Sequence, residues 1–173
     1  MKVCLLATFA NQPDLVDTTA FFKLSYGLFV LTAKGEKHNG CITNTAVQVA
    51  SSPNCISVAV QKHNLTREII EQTGKFNISV LTEDVPYDLI RRFGMQSGRD
   101  ADKFDGFIAA DTAANGVKYI TDHTNAYFSA KVISKTDLGS HILFVGEVTE
   151  AKVLGDKPPC TYAHYHAEIK PKN

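Results

Sequence analysis

Between residues 61 and 67 the chain reads QKHNLTR, and the residue types in this stretch raise a chemical question. Asn64 is a good helix N-cap, Leu65, Ile69 and Ile70 form an apolar stripe behind it, and Gly74 closes the predicted helix. A helix start exposes unpaired N–H groups and carries partial positive charge, so it favours acids and disfavours cations. Here Lys62, His63 and Arg67 bracket the cap, and Asn64 and Thr66 add short polar side chains. A bound phosphate reconciles them, because it can accept from the N–H groups, the hydroxyl and the cations together. The alternative is that Arg67 points into water and Lys62 merely ends an edge strand. Composition does not choose between the two.

The segment upstream carries Thr43, Asn44, Thr45 and Gln48 in a run otherwise suited to burial. Buried hydroxyls and amides need hydrogen-bond partners. Neighbouring backbone can supply them, and so can the N- and O-rich edge of a flat heteroaromatic ligand. A phosphorylated ring compound would satisfy both ends of the segment.

The elements that must position these residues are mostly strands. LFVLTAKGEKHNG reads as a strand and a Gly-containing turn, CITNTAVQVASS as a β-branched strand ended by Ser52-Pro53-Asn54, and CISVAVQ as its return. Their apolar and polar residues alternate only in part, as expected of strands covered on both faces. KFNISVL is a further strand, and YFSAKVISKTDLGSHILFVGEVTEAKVL a long antiparallel pair turning near Asp137-Leu138-Gly139. DTTAFFKLSYG predicts a short helix capped by Asp17 or Thr18 and stopped at Gly27. Residues 83–106 carry helical and loop signals. Strands in hairpin order with few short helices predict a mainly β fold with a closed or partly closed antiparallel barrel. A Rossmann sheet is disfavoured, since no GxGxxG follows a strand.

Composition bounds the class of partner. The 173 residues are 44% hydrophobic and 21% charged, as for one globular domain with a sizeable core. Eighteen basic residues balance eighteen acidic ones, so the broad positive field that draws nucleic acid or an anionic membrane surface is missing. Cys4, Cys41, Cys55 and Cys160 show no CxxC spacing, which suggests neither a zinc site nor a rubredoxin-type iron centre and fits free thiols in a reducing cytoplasm. No metal site is expected. The opening MKVCLLATFA is too short to span a bilayer, and residues 1–16 are expected to form an N-terminal arm or added strand.

Five segments taken together, KLSYGLFVLTA, NGCITNTAVQVASSPNCISVAVQKHNLTREI, RRFGMQSGRDADKF, GSHILFVGEV and CTYAHYH, resemble in order the flavin reductase-like, FMN-binding split-barrel family. Within it they are most similar to the flavoprotein domain at the front of high-molecular-weight rubredoxins. The resemblance spans residues 23–166. It implies an antiparallel Greek-key split barrel, a homodimer, and FMN held at or near the subunit interface. Asn44, Thr45, Gln48 and Val49 match the segment lining the isoalloxazine and ribityl chain, and Ser51 lies at the following turn. Lys62, Asn64 and Thr66 match the phosphate end.

The resemblance also implies that His141 faces the flavin and nicotinamide. Many members place Asp before this histidine, where this chain has Ser140. Tyr165 and His166 either cover the cofactor or pack the C-terminal tail; Lys103 and Phe104 either approach the ligand or form a salt-bridged loop and a core ring. The implied activity is hydride transfer from NADH or NADPH to flavin, with electrons passed on to free flavin, a rubredoxin or a flavodiiron protein. The alternative is an FMN electron carrier that does not oxidise NAD(P)H.

Overall fold

The computed structural model describes residues 15–172. The arm expected over residues 1–16 lies outside the described residues except for Leu15 and Val16, which are exposed and in no regular element. A short 3-10 helix, Thr18–Lys23, follows, capped by Asp17 as expected. It ends at Lys23 rather than Gly27, because the chain straightens at Leu24 and Gly27 bridges to Thr161.

Seven antiparallel strands form the main sheet. These are β1 (Phe29–Lys34), β2 (His38–Thr43), β3 (Val47–Ser51), β4 (Asn54–Gln61), β5 (Lys75–Leu81), β8 (Thr124–Asp137) and β9 (His141–Val153), in the order β2-β1-β5-β8-β9-β4-β3. A separate two-stranded hairpin, β6 (Ala110–Thr112) with β7 (Lys118–Ile120), was not anticipated. β2 and β3 stand at opposite edges of the sheet although only Asn44, Thr45 and Ala46 separate them. The sheet must therefore curl until its edges approach, without a ladder joining them. This is the split barrel.

The predicted CITNTAVQVASS strand is broken at that crossing. The Thr45 hydroxyl accepts from Ala59 N–H and donates to the Ala59 carbonyl, both at 3.0 Å, so one side chain serves the free edge of β4 where β3 no longer pairs with it. β3 pairs with β4 only from Asn54 to Ser57, with a register shift between Gln48 and Ala50 that leaves Val49 without a partner residue.

β1 shows why apolar alternation was incomplete. Leu31 and Ala33 join the barrel interior with Val58, Val60, Phe76, Ile78 and Phe144. Val30 faces the other way, into a second cluster with Leu81, Ile90, Phe93 and Phe104. Both faces of the strand are buried. The first cluster is covered by α1 (Leu65–Thr73) through Ile69 and Ile70, the second by α2 (Tyr87–Gly94) through Leu89, Ile90 and Phe93. α1 starts at Asn64, whose side chain accepts from Thr66 N–H at 2.9 Å, and stops at Gly74 in the left-handed region at φ 66°. The β8–β9 hairpin turns at Gly139, φ 87°, where the sequence placed it. Among the described residues no helix is long and apolar enough to cross a membrane.

Candidate functional site

A cavity of about 230 Å³ opens beside the start of α1. The end of β2 and the crossing segment form one wall, Cys41 through Thr45; β4 contributes Ala59–Gln61 and β9 contributes His141. Asn64, the end of α2 and Lys103 complete it. Polar groups dominate this lining, in contrast to the apolar clusters on either side.

Four of the sequence-predicted residues meet here: Asn44, Thr45, Asn64 and His141. They do not play one role. Thr45 has its hydroxyl committed to the backbone of Ala59 and lies 2.9 Å from the Thr43 hydroxyl, so it fixes the wall. Asn64 spends its side-chain oxygen on the helix cap. His141 is half-buried, and its Nδ1 lies 2.8 Å from Ser140 Oγ, which leaves Nε2 as the nitrogen available to a ligand. Ser140 thus gives the imidazole a hydroxyl partner from the adjacent residue.

Thr66 is fully buried behind the cavity, and its hydroxyl accepts from Asn39 Nδ2 at 2.9 Å. The Asn39 amide fits only because residue 98 is glycine: a Cβ there would stand 2.2 Å from Asn39 Oδ1. Lys62 lies outside the cavity lining and pairs with Asp137 on the β8–β9 hairpin at 2.7 Å. That ammonium, with the Gly139 N–H, holds the Asp137 carboxyl below its ordinary pKa. Arg67 donates through Nε and Nη2 to the Lys62 carbonyl and reaches Glu71 at 2.5 Å and Glu68 at 3.3 Å. Glu68 also supplies the acid in the first turn of α1. The cations at this helix start therefore have protein acceptors, and His63 is exposed.

Gln48, Val49 and Ser51 lie on exposed β3 and do not line the cavity. Gln48 instead borders an apolar groove of about 390 Å³ with Phe29, Val47, Phe128 and Val148. Tyr165 is buried in the second cluster, stacked on Tyr162 with centroids 6.1 Å apart, and is not in the cavity lining. The structure adds Cys41, Gln61, Gln96 and Lys103 to the lining. Lys103 sits in RDADKFDG, which reads by composition as a solvated acidic loop, so nothing but the family resemblance signalled it. Burial raises the pKa of the Cys41 thiol, with the Thr66 and Asn64 side chains and Lys103 opposing.

A curled, unclosed antiparallel sheet with a polar cavity at its crossing defines a flavin-reductase-type split barrel. Residues 21–170 match the flavin reductase-like domain, and the chain belongs to that family of oxidoreductases. It is 45% identical over 152 residues to a high molecular weight rubredoxin of Moorella thermoacetica, covering 87% of this chain and 66% of that protein. It is 40% identical over 158 residues to a ferric-chelate reductase (NAD(P)H) of Archaeoglobus fulgidus, covering 91% and 93%. The NADH:FAD oxidoreductase of Streptomyces globisporus shares the fold with a TM-score of 0.74, at 22% identity over 87% of this chain and 91% of that one.

Proposed function

We propose that the chain binds FMN in the cavity beside α1 and moves a hydride from NADH or NADPH to it, releasing the electrons to a second acceptor. The observation that carries this reading is the cavity itself, where Asn44, Gln61, Asn64, Lys103 and His141 converge between two apolar clusters. Their amides, ammonium and imidazole suit a flat ring rich in N and O, so the residues present fit the group. When bound, the flavin supplies the redox chemistry. The chain's part is to bind and orient: Thr45 and the Asn39–Thr66 pair fix the walls, Asn44 and Asn64 offer amides, and His141 presents Nε2 on the side open to nicotinamide. In this reading the phosphate lies toward Asn64 and Lys62, where it competes with Asp137 for the ammonium, and Thr66 acts from behind as a positioning residue.

The exposed β3 edge supports a homodimer. Val47 and Val49 are exposed beside the apolar groove, and a second copy covering them would bring Gln48, Val49 and Ser51 to a shared site. Likeness to a high molecular weight rubredoxin supports a rubredoxin as electron acceptor. The free buried thiols of Cys41, Cys55 and Cys160 support a reducing cytoplasm. The second reading, an FMN electron carrier, is favoured by that same relative, whose length this chain spans only in part.

Anaerobic stopped-flow mixing of the FMN-loaded protein with NADH or NADPH separates the two. Bleaching of the flavin absorbance supports the reductase; no bleaching with either nucleotide leaves the carrier.

A further inference from the structure

Lys103 is the charged group in the cavity whose burial the wall alone does not explain. The residue is 4% exposed, and its ammonium donates to the carbonyls of Gly40 at 2.8 Å and Phe93 at 3.0 Å. An ammonium has three donors, so two carbonyls leave one over, and Lys103 lines the cavity. Among the described residues no carboxylate forms an ion pair with it. Its neighbour Asp102 pairs with Lys37 at 3.9 Å and accepts from Phe104 N–H. Burial without a counter-charge is costly, and desolvation depresses the Lys103 pKa below the ordinary lysine value.

The position is also fixed. Arg92 donates to the Lys103 carbonyl at 3.2 Å, and the Phe104 ring packs edge-on in a triangle with Phe93 and Phe107 at centroid distances of 5.3 and 6.2 Å. A surface lysine sweeps through many rotamers. This one is held at one point, as a preorganised electrostatic contact requires.

We propose that Lys103 faces the pyrimidine edge of the flavin ring and places positive charge where the ring gains negative charge on reduction. This rests on the flavin reading above. The ring edge is preferred to the phosphate because of donor supply. A phosphate dianion calls for several charge-assisted donors, whereas the wall around Lys103 offers one spare N–H beside two carbonyls and the Cys41 thiol. A delocalised charge matches that single donor.

The test is the two-electron midpoint potential of the bound flavin in wild type, Lys103→Met and Lys103→Gln, each loaded with FMN and with riboflavin. Both substitutions are expected to weaken binding of the reduced form about tenfold more than the oxidised form, a fall of about 30 mV, alike for the two flavins. A loss confined to FMN and equal in both oxidation states would put Lys103 on the phosphate and overturn the assignment. Unchanged affinity and potential would overturn it as well. Lys103→Arg, which keeps the charge, should hold the potential near the wild-type value, and a fall in that variant as large as in Lys103→Gln contradicts the proposal. A protein that takes up no flavin brings down the flavin reading, and this assignment with it, and is recognised by its lack of colour.

Discussion

The wall of the cavity and the edge at β3 meet at the crossing Asn44–Ala46, yet they differ in how their demands are met. In the wall, polar groups are interlocked: Thr45 serves both backbone groups of Ala59, Asn39 reaches Thr66, and Lys103 holds two carbonyls. At the β3 edge every residue is exposed, Val47 and Val49 lie uncovered, and the ladder is short and bulged. The first region is finished within one chain. The second has apolar area and free strand edge that only another surface can remove from water.

The largest expected effect comes from breaking the second region. Paired substitutions Val47→Glu and Val49→Glu should convert a dimer to a monomer in sedimentation analysis and strip bound FMN, while the melting profile of the monomer still shows one cooperative transition. A dimer that survives both charges, or a wild-type monomer that binds FMN fully, would move the interface elsewhere. Next in size is damage to the wall. Gly98→Ala should drive the Asn39 amide off Thr66 and lower stability by about 1–3 kcal/mol, the usual cost of unpairing buried polar groups, read from denaturant unfolding. Asn39→Ala should lower it comparably, and unchanged midpoints in both would show that the pair holds nothing.

Thr45→Val tests the crossing itself. Loss of the hydroxyl leaves Ala59 N–H and C=O without their partner, and a destabilisation of about 1–3 kcal/mol is expected, with weaker FMN binding as the wall loosens. Thr66→Ala should weaken FMN binding more than Lys62→Ala, because Thr66 acts through a buried bond and Lys62 is already paired with Asp137 at the surface. Equal losses would return Lys62 to the centre of the phosphate site.

The smallest effect is electrostatic. Lys135 first, and then Arg67, hold the Glu71 carboxyl below its ordinary pKa. A depressed carboxylate adds stability above its unfolded pKa and loses it as pH falls through the folded one. Wild type should therefore outlast Lys135→Met at neutral pH by a small margin in melting temperature, and the two curves should converge as pH drops below the carboxylate range. Curves that stay parallel would mean the pair contributes nothing.

The same contrast explains what the sequence made legible. Patterns that depend on neighbours along the chain were readable: the Asn64 cap, the Gly74 stop, the Gly139 turn, and the incomplete alternation of β1 that signals burial on both faces. What depends on distant partners was not. The break at Asn44–Ala46 exists because a curled sheet brings β4 beside it, and no local signal marks that. Lys62 looked unpaired because Asp137 lies far along the chain; Arg67 is the exception, since its partners Glu68, Glu71 and the Lys62 carbonyl are all within five residues and the i,i+4 pair with Glu71 was legible. Lys103 looked solvated because burial is a property of the Gly40 and Phe93 carbonyls it reaches, which are 63 and 10 residues away. Of the residues the family resemblance pointed to, Asn44, Thr45, Asn64 and His141 meet in one cavity, and Gln48, Val49 and Ser51 lie on the neighbouring exposed edge.

A crystal structure of the protein saturated with FMN tests the central claim most directly. The account predicts the flavin ring lying against Asn44 and Thr45, with its pyrimidine edge within hydrogen-bond reach of Lys103 and its phosphate toward Asn64. A cavity filled only by solvent, with the flavin bound elsewhere on the chain, would contradict it.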